Sequence, residues 1–382
     1  MNFKSLDQFI DTLEPMGIPG GDIKVIHKGR EIYRRAFGYA DRENNIPISS
    51  STLYFLYSAS KVATVVAGMQ MLEKGKFLLN DELYYYLPEF KDMQVCHWDR
   101  EKEAFDRHPA RRPITVQDLF TMSAGLNYNL NTDAIRQIVA DTEGRAPTRE
   151  VVRAIAKGTL EFDPHEHFGY SLCHDVLACL VEVVSGQRFA DYMKENIFDP
   201  LGMTESYYHV TPEIEGRIAQ LYRYNYETKT AERIAKKNDY VIGPEYDSGG
   251  AGIISSVNDY SKFVYALSNG GVGKTGEKIL SRRAIDLLRT NQYDEQRLKD
   301  FHTWHQMAEY GYGLGVRTMM QPFAGGSLGN VGEFGWGGAA GAYVMVDPDA
   351  ELAVFYAQHM LNNLEPHTHP RFRNIIYGIL DK

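Results

Sequence analysis

The run YSASKVATVVAGMQMLEKG, residues 57–75, decides how the chain is read. From Lys61 to Lys74 its apolar residues Val62, Ala63, Val65, Val66, Met69, Met71 and Leu72 cover most of a helix's circumference, so the spacing predicts a buried helix over 61–74. Gly75 suits its C-cap. Ser58 and Lys61 stand at the start of that helix as a Ser-X-X-Lys, three residues and one turn apart on one face. The lysine can then take the serine's proton, provided it is itself neutral. About 0.04 % of an exposed lysine is neutral at pH 7, so burial or a nearby cation must lower its pKa. The alternative is a capping serine followed by a solvated lysine. An aromatic run before the motif, Tyr54–Tyr57, and a nearly all-apolar helix after it are surroundings that a solvated lysine does not need.

Working outward, residues 3–13 place Phe3, Leu6, Phe9, Ile10 and Leu13 at helical spacing, and 23–39 reads as a hairpin turning at Lys28-Gly29. Helical segments are expected at 115–122, 148–157, 172–184, 188–197 and 258–269. The charged stretch 97–112 reads as a surface loop. Strands are expected at 310–320, 340–346 and 351–358, where Val344, Val346, Leu352, Val354 and Phe355 suit a buried sheet, and a last helix at 369–381. Strands at both ends with helices between predict an α+β fold, an α/β sandwich. Residues 1–88 and 241–382 would form an antiparallel sheet flanked by helices, 89–240 a mainly helical inserted domain, with the active site at their interface.

Composition bounds the function. The chain has 382 residues, 43% hydrophobic and 24% charged, an ordinary globular balance. A net charge of −9 gives no general attraction for nucleic acid or an anionic membrane. Three cysteines are too few for a disulfide framework. The N-terminal stretch carries acids among its apolar residues and lacks the apolar core of a secretory signal, and no run of 18 apolar residues occurs, so a cytoplasmic protein without a membrane span is expected.

Three other strings compete with Ser58-X-X-Lys61. Gly325-Gly326-Ser327-Leu328-Gly329 matches a nucleophile elbow, with Asp347 and His359 following in triad order, but Gly-rich sequence continues where the elbow needs a helix. Gly271-Val272-Gly273-Lys274-Thr275 resembles a phosphate loop, yet Ser268 occupies the position of its first glycine and the string follows a helix. The pairs His165/His167 and His367/His369 lack further ligands at metal spacing, so no metal or cofactor is expected.

The combination of motifs resembles the serine β-lactamase and penicillin-binding-protein superfamily, in its class-C-like branch. Residues 55–61, Leu72–Lys76, Tyr86–Phe90, Ile114–Leu119 with Ser123-Ala124-Gly125-Leu126, and Ser248–Gly252 carry the likeness in order and spacing over roughly residues 5–380. The resemblance implies Ser58 as nucleophile, Lys61 as its activating base and Tyr170 as a sharer of the proton. It also implies the backbone N–H groups of Ser58 and Ala339 as the oxyanion hole. Leu172 stands where the family carries an asparagine, and Trp336-Gly337-Gly338 where lactamases and peptidases carry Lys or His, then Thr or Ser, then Gly. Trp336 has no charge with which to hold a substrate carboxylate. Trp-Gly-Gly in this slot is similar to the family VIII carboxylesterases and to related acyltransferases. The expectation is a small-molecule ester hydrolase working through an acyl-Ser58 intermediate, with Tyr57, Leu172, Tyr246 and the Trp336 segment contacting substrate. The alternatives are a β-lactamase or D-amino-acid-specific peptidase, or an acyltransferase on the same fold. Nothing in the sequence sets the oligomeric state.

Overall fold

A computed structural model describes residues 1–99, 103–305 and 308–380. Its centre is the strand Leu352–Gln358, whose side chains are buried on both faces. That explains why it reads as a continuous apolar run rather than an alternation. Phe355 and Ala353 point to one face with Val344 and Val346 of the strand Tyr343–Asp347. Val354 and Tyr356 point to the other with Ile23 and Val25. The first face packs against the helices Val257–Ser268 and Ser60–Glu73, the second against Lys4–Ile10 and Glu365–Leu380. A sheet apolar on both faces needs a helical layer on each, and the result is an α/β sandwich.

The sheet has eight antiparallel strands in the order 310–312, 317–319, 334–337, 343–347, 352–358, 20–27, 30–41, 46–47. Both ends of the chain build it, as expected. The expected helices form at Ser60–Glu73, Val116–Phe120, Thr148–Ile155, Cys173–Ser185 and Val257–Ser268. The core that holds Val344 and Phe355 continues without a break into Leu119, Val176 and Leu177 of the helical middle.

Several elements differ from expectation. The stretch read as a charged loop at 97–112 lies largely in a hairpin, Gln94–Asp99 with Ala104–Pro109, in which Trp98 stands opposite Phe105; residues 100–102 lie outside the described residues. Cross-strand aromatic pairing and the buried Val95 outweigh the charge count there. Between 310 and 320 the chain forms two short strands rather than one. Phe334–Gly337 is a strand of its own before Tyr343–Asp347. The last helix starts at Glu365, four residues before the expected start. Pro366 hides that start from sequence reading, although a proline in a helix's first turn removes no intrahelical bond. Among the described residues, no helix is long and apolar enough to cross a membrane.

Candidate active site

Ser58 sits in a tight turn, Tyr57–Ala59, between the strand Leu53–Phe55 and the helix Ser60–Glu73. Tyr57 takes φ +47°, a left-handed conformation that costs a non-glycine residue energy and is found where surrounding structure holds a site in place. Lys61 is fully buried in the first turn of the helix. Its Nζ donates to Ser58 Oγ at 3.3 Å, to Tyr128 Oη at 3.0 Å and to the Gly250 carbonyl at 2.8 Å. Three acceptors match the three protons of an ammonium.

The shift of Lys61 runs opposite to the one a neutral base would need. Burial pulls its pKa down, but Tyr128, Tyr170 and Asp175 outweigh burial and the net direction is up. Asp175 is buried; its Oδ1 accepts from Tyr246, Ser248 and the Gly250 N–H, and its Oδ2 accepts from no group among the described residues. A buried carboxylate with an idle oxygen favours a cation nearby. Tyr128 is also held above the usual phenol range, by burial, against the opposing pull of Lys61. Both shifts run upward, so each member of the pair holds its proton more tightly than it would in water.

Tyr128 was not among the residues singled out from sequence. It lies in the loop after Ser123-Ala124-Gly125-Leu126, and that loop is tied to the helix Cys173–Ser185 by the Leu172 N–H donating to the Asn127 carbonyl at 3.1 Å. Its only sequence signal is an aromatic hydroxyl two residues after that glycine block. Tyr170 lies beside it: the two rings stack at 5.4 Å, and Lys61 Nζ stands 4.8 Å from the Tyr170 ring centre. The Tyr170 hydroxyl accepts from Trp336 Nε1 at 3.3 Å. The structure thus brings Ser58, Lys61, Tyr128, Tyr170 and Trp336 together, with Tyr128 rather than Tyr170 bonded to the lysine.

The strand Phe334–Gly337 supplies the facing wall. A Cβ on Gly338 would fall on the Leu56 carbonyl, so glycine lets this wall close on the nucleophile turn. Asn363 Nδ2 donates to the Ala339 carbonyl at 2.8 Å, and its Oδ1 accepts from the Glu365 N–H at 2.7 Å. One side chain thereby ties the Ala339 turn to the start of the last helix. The cavity between these walls has a volume of about 390 Å³ and is lined by Ser58, Tyr128, Tyr170, Tyr240, Trp304, Trp336, Gly337, Gly338, Ala339 and Glu365.

Three residues expected to touch substrate lie outside this lining. Tyr246 is fully buried and donates to Asp175. Leu172 is buried at the start of its helix, and Tyr57 is buried against Phe55 and Tyr240. Sequence reasoning missed Tyr240, Trp304 and Glu365, which come from a loop, an unforeseen helix at Glu295–His305 and the early start of the last helix.

The residues of the competing elbow string are engaged in structural hydrogen bonds. His359 uses both ring nitrogens: Nε2 accepts from the Phe55 N–H and Nδ1 donates to the Ala219 carbonyl. Ser327 Oγ accepts from the Gly329 N–H, and Asp347 accepts from Asn330 and Tyr377. Among the described residues no His, Cys, Asp and Glu group could hold a metal ion.

A sandwich with a serine and a lysine one helical turn apart at its core defines a hydrolase of the serine β-lactamase-like superfamily. The chain belongs to the Beta-lactamase family, which it matches over residues 6–376. It is 28% identical over 364 residues to Protein Rv1367c of Mycobacterium tuberculosis, covering 93% of this chain and 90% of that one. It is 27% identical over 368 residues to Esterase EstB of Burkholderia gladioli, covering 91% and 87%. Its fold matches that of EstCE1, a hydrolase with promiscuous acyltransferase activity, with a TM-score of 0.79 at 24% identity over 98% of each chain.

Proposed function

We propose that the protein hydrolyses small carboxylic esters through an acyl-Ser58 intermediate. One observation carries this reading: Ser58 Oγ lies 3.3 Å from a buried Lys61 Nζ at a cavity lined by Trp336 and Glu365, with no arginine or lysine among the described lining residues. A serine poised for acylation, with Lys61 engaged by Ser58, Tyr128 and Gly250 and no arginine or lysine among the described lining residues for a substrate carboxylate, suits a neutral or cationic ester better than a β-lactam or a peptide ending in a carboxylate. The likeness to Esterase EstB supports the same reading.

In this reading the Lys61–Tyr128 pair first gives up one proton to solvent and then accepts the proton of Ser58. Ser58 Oγ attacks the ester carbonyl, and the N–H groups of Ser58 and Ala339 receive the developing oxyanion; one such donor is typically worth about 10²–10³ in rate. The pair returns its proton to the departing alcohol. Water, deprotonated by the same pair, then attacks the acyl carbonyl, and the pair returns that proton to Ser58 Oγ as its bond to the acyl carbon breaks. With another alcohol in place of water the site would transfer the acyl group. The test compares hydrolysis of p-nitrophenyl butyrate and of a chromogenic cephalosporin by the wild type and Ser58→Ala. Ester turnover that exceeds cephalosporin turnover and disappears in Ser58→Ala is expected. Faster cephalosporin turnover would favour the lactamase alternative, and an unaffected Ser58→Ala would overturn the assignment.

A further inference from the structure

The cavity that holds Ser58 also holds an acidic side chain that the acylation chemistry does not use. Glu365, about 25 % exposed, leans over the Phe334–Gly337 strand: its carboxylate oxygens stand 3.3 and 3.4 Å from where a Cβ on Gly337 would lie. His369 Nδ1 is 4.0 Å away, and Arg317 is the guanidinium whose field reaches the carboxylate. Burial still pushes the Glu365 carboxyl up, against Arg317 and Asn363. Beside it the rings of Trp304, Tyr170 and Trp336 lie nearly parallel. Trp304 stacks on Tyr170 at 4.6 Å, Tyr170 on Trp336 at 5.8 Å, and the two indoles are tilted by 5° at 6.2 Å. Tyr240 lines the same space and meets Tyr128 edge-on at 5.4 Å.

A part-buried carboxylate in a cavity lined by aromatic rings attracts a cation by direct charge, and a ring such as half-exposed Trp304 adds to it where its face meets the cavity. It repels an anion by the same means. We propose that the site selects esters carrying a quaternary alkylammonium group, with the cation held by Glu365 and the indoles of Trp304 and Trp336 while Ser58 attacks the carbonyl. This rests on the esterase reading and adds the class of substrate. A quaternary ammonium has no N–H to hydrate, is weakly hydrated and fits a ring-lined wall. A cavity of about 390 Å³ is at the small end of ligand pockets, which run from roughly 300 to 1,000 Å³, and suits an ester of this size.

Butyrylcholine and neohexyl butyrate test the proposal, since they differ only by a positively charged nitrogen in place of a carbon. Wild-type kcat/KM should favour the choline ester by about tenfold or more. In Glu365→Gln the ratio should fall to near one. Should that variant not fold, Trp304→Leu, in a side chain about half exposed, should lower the ratio instead. A wild-type ratio of one or less, or a ratio untouched in either folded variant, would overturn the proposal. If neither ester turns over, choline but not neohexanol should slow fluorophosphonate labelling of Ser58, and equal labelling with both would overturn it. Ester hydrolysis that persists in Ser58→Ala would instead overturn the esterase reading beneath it, so the two failures are distinguishable.

Discussion

In the proposed acylation Lys61 has two tasks. Three acceptors and the buried Asp175 favour its cationic form, yet the proposed attack by Ser58 needs a base. The shared hydrogen bond with Tyr128 resolves this if the pair acts as one titrating unit. Both members are shifted upward, so the base form gains population only as pH rises above neutrality. We expect kcat/KM for a neutral ester to rise about tenfold per pH unit from pH 7 to 9. A plateau reached by pH 7 would mean that Lys61 is neutral at rest. Tyr128→Phe should lower kcat by about 10²–10³-fold and alter that alkaline rise. Tyr170→Phe, whose hydroxyl is engaged by Trp336, should leave the shape of the profile in place. Stopped-flow or steady-state pH profiles of the two variants decide between the tyrosines. That Ser58, Lys61, Tyr170 and Trp336 would lie together was legible because each sits in a short motif. The presence of Tyr128 and Glu365 beside them was not, since it depends on which loop and which helix end the fold carries to the cavity.

The elements around Ser58 are held together by close backbone approach. The Ser248–Gly252 segment runs past the helix Ser60–Glu73, with the Gly250 carbonyl accepting from Lys61. A Cβ on Gly250 would lie 2.6 Å from Asp175 Oδ2 and 3.2 Å from both Lys61 Nζ and Tyr128 Oη. Gly250→Ala should therefore displace the Lys61–Tyr128 pair, and we expect at least a tenfold loss of kcat alongside a loss of stability on the order of 1–3 kcal/mol. Urea unfolding beside steady-state kinetics measures both, and a variant with wild-type values would show that this approach is not tight. The helix 61–74 and the strand 351–358 were readable from sequence because burial on most sides leaves a largely apolar run. The hairpin at 94–109 was hidden by charge, and the helix at Glu295–His305 by a polar surface with few core positions. That helix is the one that brings Trp304 to the cavity.

Across the whole molecule, one sheet joins the two ends of the chain and carries buried polar groups that tie stability to pH. His359, between the sheet and the nucleophile strand, is neutral with its pKa lowered to about 4, and His174, behind Lys61, is lowered to about 3, both chiefly by burial. An unfolded histidine takes its proton near pH 6.5, so the unfolded state binds more protons below that pH and stability falls as pH drops from 6.5 toward 4. The His359 contribution is about 3 kcal/mol over that window. His359→Gln should show a shallower fall in Tm between pH 6.5 and 4 than the wild type, and equal slopes would contradict the assignment. The antiparallel sheet was legible from strand signals at both ends. The continuity of the core from the sheet into the helical middle was not, because it depends on contacts between segments far apart in sequence. The central claim, that Ser58 is the residue that becomes acylated, is tested most directly by fluorophosphonate labelling followed by peptide mass mapping. The account predicts an adduct on the peptide bearing Ser58 and no adduct in Ser58→Ala. An adduct on Ser327, or undiminished labelling of Ser58→Ala, would contradict it.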